Sequence, residues 1–154
     1  MGRHWGLTRS HAGFSLVELL VLLGVIGALF SLSLPAFMSY YKSAQVRAAA
    51  SGIAAYLNQA RQLAIQQNQR VCVHIASTAL HYALGSCAGT VWVGPGTDAA
   101  GNIPAPGGIV LTTTADPVFS NLGAAAPAAT ITVTHGSASL SVMVSASGRV
   151  VVGR

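Results

Sequence analysis

Between Phe14 and Leu34 the chain carries 21 residues with a single charged side chain, Glu18, near the start of the run. A segment this apolar has to be covered by lipid or by protein, and a carboxylate inside it needs a partner. As a helix it would be roughly 31 Å long at about 1.5 Å per residue, close to the thickness of a bilayer core, so a transmembrane helix is expected here. Pro35 cannot donate to the carbonyl of Ser31, which predicts local loosening, but the helical period resumes beyond it. Val46, Ala50, Ile53, Leu57, Ala60 and Ala64 recur at helical spacing, while Arg47, Ser51, Asn58 and Gln62 fall on other faces. One helix is therefore predicted from about Phe14 to about Gln67, its first half in the membrane and its second half packed on a C-terminal globular domain.

The period then changes to two. Val71, Val73 and Ile75 alternate with Cys72 and His74; Leu80, Tyr82 and Leu84 flank His81; Ile131 and Val133 alternate with threonines; Leu140, Val142 and Val144 alternate with Ser141 and Met143. Turn signals at His135-Gly136-Ser137 and Ser147-Gly148 predict a short antiparallel meander ending at Val150 to Val152. The glycines and prolines of Gly94 to Gly108 predict an exposed loop. The fold class is thus α+β: a long N-terminal helix on a C-terminal antiparallel β-sheet domain. Only 7 % of the residues are charged against 52 % hydrophobic, a surface suited to coverage by partners.

Ahead of the apolar run lies a basic segment, Met1 to Gly13, with Arg3 and Arg9; a secretory signal would instead place its cleavage site after the apolar run. Together with Gly13-Phe14-Ser15-Leu16-Val17-Glu18, this arrangement resembles the type IV prepilin signature. The resemblance implies cleavage by a prepilin peptidase between Gly13 and Phe14, N-methylation of Phe14, and an assembly role for Glu18. The chemistry is consistent: cleavage exposes an α-amine with a pKa of about 8, and Glu18 lies four residues on, at the helix N-terminus where negative charge is favoured. The expected organisation is a leader over 1–13, a transmembrane helix half over 14–41, and an exported domain over 42–154. Without the leader, six Lys and Arg face three carboxylates, a side-chain net charge of +3.

A second stretch, Leu57 to Val73 (LNQARQLAIQQNQRVCV), resembles the end of the long helix and first strand of the GspH/FimT group. That resemblance implies a minor pseudopilin of a type II secretion pseudopilus, supporting protein secretion, or alternatively a minor pilin of a type IV pilus. The implied partners are other pilins or pseudopilins through the N-terminal helix, an inner-membrane assembly platform and membrane lipid. The implied location is the bacterial inner membrane, single-pass, with a cytoplasmic N-terminus and a periplasmic domain. Some related proteins bind DNA through a C-terminal Gly-Arg-x-Arg segment; here the stretch reads Gly148-Arg149-Val150-Val151, with valine at the second arginine. Arg149 and Arg154 are left as a small basic patch for phosphate.

Cys72 and Cys87, both on the side expected to be exported, are expected to form a disulfide closing a 16-residue loop, with a metal site shared with His74 and His81, or free thiols, as the alternatives. The metal reading lacks the short Cys-to-Cys spacing of structural zinc sites, so neither metal nor cofactor is expected. Past the leader the carboxylates are Glu18, Asp98 and Asp116, the last just before Pro117, and no G-x-S-x-G is present. Nothing marks paired acid/base groups or an activated nucleophile, and no enzyme is expected.

Overall fold

The structure, a computed structural model, describes residues 13–153, apart from the side chains of 32–36. The leader up to residue 12, and Arg154, lie outside the described residues. Helix α1 runs Leu16–Gln66, 51 residues, and continues through position 35. Ser15 stands immediately before it, its carbonyl accepting from the amide of Leu19 at 3.1 Å. That is an N-cap position, and Glu18 three residues later has the Ser-x-x-Glu spacing of a capping box. At the other end Asn68 takes a left-handed backbone, φ 50°. The amides of Asn68 and Gln69 donate to the carbonyls of Ile65 and Ala64, both at 3.2 Å, which closes the helix in a Schellman motif.

The expectation of a membrane-spanning first half is overturned. Among the described residues no helix is long and apolar enough to cross a membrane. The transmembrane first half of the helix and the single-pass inner-membrane placement fall with that expectation.

The chain divides into two compact units, with the division between Met38 and Ser39. The described part of the first is helical from Leu16 on. The second holds the remainder of α1 and ten strands: β1 (Val71–Ile75), β2 (Ala79–Leu84), β3 (Thr90–Val91), β4 (Asn102–Pro104), β5 (Val110–Thr113), β6 (Val118–Phe119), β7 (Ala125–Ala126), β8 (Ala129–His135), β9 (Ala138–Val144) and β10 (Val150–Val152). They form two antiparallel sheets where a single sheet was expected. The first has the order β3-β2-β1-β6-β7, with β4 also pairing β2; the second has the order β10-β9-β8-β5. In the first, His74 of β1 lies opposite His81 of β2. In the second, β8 and β9 form a hairpin with His135 opposite Ala138, and Gly136 supplies the positive φ (61°) that its two-residue turn requires.

The periodic face of α1 is the inner wall of the core. Val46, Ala50, Ile53, Leu57, Ala60 and Ala64 are all buried. They share one cluster with Val71, Val73 and Tyr82 of the first sheet and Ile131, Val133 and Val142 of the second. Tyr82 is fully buried, and its hydroxyl donates to the carbonyl of Tyr56 on α1 at 2.9 Å, pinning strand to helix. Burial pushes the Tyr82 phenol well above its ordinary pKa, so it stays neutral and able to donate. The stretch from Gly94 to Gly108 is not wholly an exposed loop: Ile103 of β4 is buried opposite Leu80. One apolar residue among glycines and prolines carries no period from which a strand could be read.

Leu57, at the centre of the buried face, is fully covered. Leu57→Ala is expected to lower unfolding free energy by about 2–5 kcal/mol, whereas Asn58→Ala on the exposed side should change it by less than about 1 kcal/mol, both read from urea denaturation.

Candidate functional site

Gly13 and Phe14 precede α1, and Glu18 is in its first turn. Phe14 is 75 % exposed, and every large apolar side chain from there to Phe30 is at least 39 % exposed. This surface, with a carboxylate at its beginning, is the largest uncovered apolar feature among the described residues, and such a surface marks an interaction site.

The outer face of the first sheet gathers the residues that the sequence offered as a cysteine–histidine set. Cys72 and His74 point away from the core on β1, as His81 does on β2, because their neighbours Val71, Val73, Leu80 and Tyr82 take the inner face. The cysteines are spent on each other: Cys72 and Cys87 form a disulfide with Cα atoms 5.0 Å apart. The His74 and His81 rings lie side by side, centroids 4.9 Å apart. Asp116 reaches them from the connection between β5 and β6. One of its oxygens is 2.7 Å from His74 Nδ1, and the other accepts from the amide of Ile75 at 3.1 Å. Burial lowers the His81 pKa, the neighbouring His74 lowers it further, and Asp116 opposes both. Among the described residues no group of three or more His, Cys, Asp or Glu could hold a metal ion.

Asp98 organises a turn. Its Oδ1 accepts from the amides of Asn102 at 2.7 Å and Ala100 at 2.9 Å, and these hydrogen bonds hold its carboxyl below the usual range. Both aspartates of the folded unit thus serve backbone and histidine geometry.

Arg149 is exposed on the β9–β10 turn and lines an open groove of about 620 Å³ with Thr114, Thr130, Met143, Ser145 and Val151. It is the one charged residue of that lining. The turn is pressed against the β6–β7 connection: a Cβ at Gly148 would collide with the carbonyl oxygen of Gly123, and both glycines approach the guanidinium of Arg61 on α1. The buried Nε of Arg61 has no hydrogen-bond partner among the described residues. Sequence reasoning missed Arg61 and the contact that Asp116 makes. Asp116 lies 42 residues from the histidine it touches, and no local pattern links them. The Ser15-x-x-Glu18 spacing, by contrast, was available to be read.

A long helix with a buried second face, two small antiparallel sheets and an uncovered apolar helix start make up an α+β fold that presents an interaction surface. The family model described as type II transport protein GspH matches residues 49–148, more than half of the chain, and the chain belongs to that family. The fold is similar to two crystal forms of the type IV minor pilin FimU of Pseudomonas aeruginosa. The first has a TM-score of 0.56 at 14 % identity over 70 % of this chain and 92 % of that one; the second has 0.55 at 14 % over 75 % and 92 %. It is similar also to the minor pseudopilin EpsH from the Type 2 Secretion System of Vibrio cholerae, with a TM-score of 0.55 at 12 % identity over 70 % of this chain and 95 % of that one. No curated protein matches the chain. As a member of that family the chain is a structural rather than a catalytic protein.

The disulfide closes a loop with a sequence separation of 15. Reducing it, or replacing both cysteines by alanine, is expected to lower stability by about 3 kcal/mol on the chain-entropy model, read as an earlier denaturation midpoint with an unchanged slope.

Proposed function

We propose that this chain is a minor pseudopilin of a type II secretion pseudopilus that supports protein secretion. The observation that carries this reading is the match of residues 49–148 to the type II transport protein GspH model. In the proposed mechanism a prepilin peptidase cuts between Gly13 and Phe14, Phe14 becomes the methylated first residue, and its amine is positive at neutral pH. Glu18 then offers a carboxylate to the amine of a neighbouring subunit while the apolar surface from Phe14 to Phe30 is covered by the helices of its neighbours. The exposure of those side chains supports this, since an uncovered apolar surface of that length is stable in water only when something packs on it.

A second reading, a type IV pilus subunit that touches DNA, is favoured by one observation, the exposed Arg149 beside its groove. Arg154, its expected companion, lies outside the described residues. A single arginine makes a small electrostatic contribution, so this reading ranks behind the first.

The test begins with the intact mass and N-terminal sequence of the protein from cells with an active prepilin peptidase. A chain starting at methylated Phe14 is the expected result, and a retained leader overturns the cleavage step. Glu18→Ala should still be cleaved but should fail to co-purify with filament subunits; normal incorporation would sink the role of Glu18. Deleting the gene should abolish secretion and leave pili and DNA uptake intact, and the converse outcome would favour the second reading.

A further inference from the structure

The outer face of the first sheet carries chemistry that filament assembly does not use. His74 and His81 occupy directly opposite positions on the antiparallel pair β1–β2, where Cβ atoms stand about 4.5–5.5 Å apart. Their ring centroids are 4.9 Å apart, tilted by 45°. Two imidazoles so spaced can each turn one nitrogen toward a common point about 2 Å away, the bond length of a divalent ion to histidine nitrogen. The His74 side chain is 46 % exposed, so an ion has an open approach.

The third component is Asp116. Its 2.7 Å contact to His74 Nδ1 places the proton of a neutral ring on that nitrogen and leaves Nε2 as the ring's lone-pair donor. This is the carboxylate–histidine arrangement that orients metal ligands and raises their basicity. Asp116 is itself fixed by the amide of Ile75 at 3.1 Å, so the carboxylate is anchored to the strand that carries His74. The nearby cysteines, joined in their disulfide, present no thiolate to compete.

We propose that His74 and His81 form a two-imidazole site for a borderline divalent transition-metal ion, copper(II) or zinc, with water completing the coordination and Asp116 acting as a positioning residue for His74. Imidazole ligands select ions of this class over calcium and magnesium, which require oxygen donors. The site exists only when β1 and β2 are paired, so the bound ion stabilises the folded state by mass action. It lies on the sheet face opposite the helix and leaves the core untouched.

The test uses the full chain with its disulfide intact, titrated with zinc chloride and separately with copper(II) chloride. Binding is read by calorimetry, by the histidine ring signals in NMR, and by the shift in melting temperature. One equivalent should bind, perturbing the rings of His74 and His81 and raising the melting temperature, with no response to magnesium. His74→Gln and His81→Gln should each weaken binding at least tenfold, while His135→Gln leaves it unchanged. Asp116→Asn, with both imidazoles retained, should weaken it by about 10–100-fold, the usual effect of removing a carboxylate that orients a ligand. Metal-free melting temperatures close to that of the parent chain show that each variant is folded. The proposal is overturned if His81→Gln binds as tightly as the parent chain, or if His135→Gln removes binding to the same degree. Unchanged affinity in Asp116→Asn would overturn the positioning role.

Discussion

Everything in the folded unit depends on burying one face of α1. The ten strands are short, from two to seven residues, and sheets of such pieces are marginal unless a helix covers them. Here one helix covers the inner faces of two sheets at once, and all three contribute to a single apolar cluster. The helix face is built largely of small residues. Ala49, Ala50, Ala60 and Ala64 are at most 5 % exposed, which lets the backbone of α1 come close to the strands while Ile53 and Leu57 fill the space between. Tyr82 then fixes one strand to the helix through its hydroxyl, a directional contact in an otherwise non-directional core.

The same helix meets the opposite circumstance in its first turns. From Phe14 to Phe30 its large apolar side chains are open. An apolar surface of that length, left open on a helix whose second half is buried, marks an interaction site.

The outer face of the first sheet has a different logic. Alternation along β1 and β2 forces Cys72, His74 and His81 to the side away from the helix. Once there, the cysteines pair with each other and the histidines are left as neighbours, one of them held by a carboxylate from a distant loop. Local sequence period and long-range chain path therefore meet in one small polar cluster.

Much of this was legible in the chain itself. The 3.6-residue recurrence from Val46 to Ala64 named the buried helix face residue by residue, because a helix on a sheet has one covered side. The period-two runs named β1, β2, β8 and β9, since a half-buried strand must alternate, and the turn signals named the meander. The two-residue strands β3, β6 and β7 were not legible, because pieces that short have no period and exist only where a neighbouring strand offers hydrogen bonds. Nor was the division into two sheets, which depends on which edges meet in space. The pairing of Cys72 with Cys87 was the expected one, since both cysteines fall in the folded unit, whereas only the tertiary structure decided that Asp116 comes to rest against His74. That contact joins residues whose separation along the chain exceeds any local pattern, so the packed core, and not the spacing of letters, brings them together.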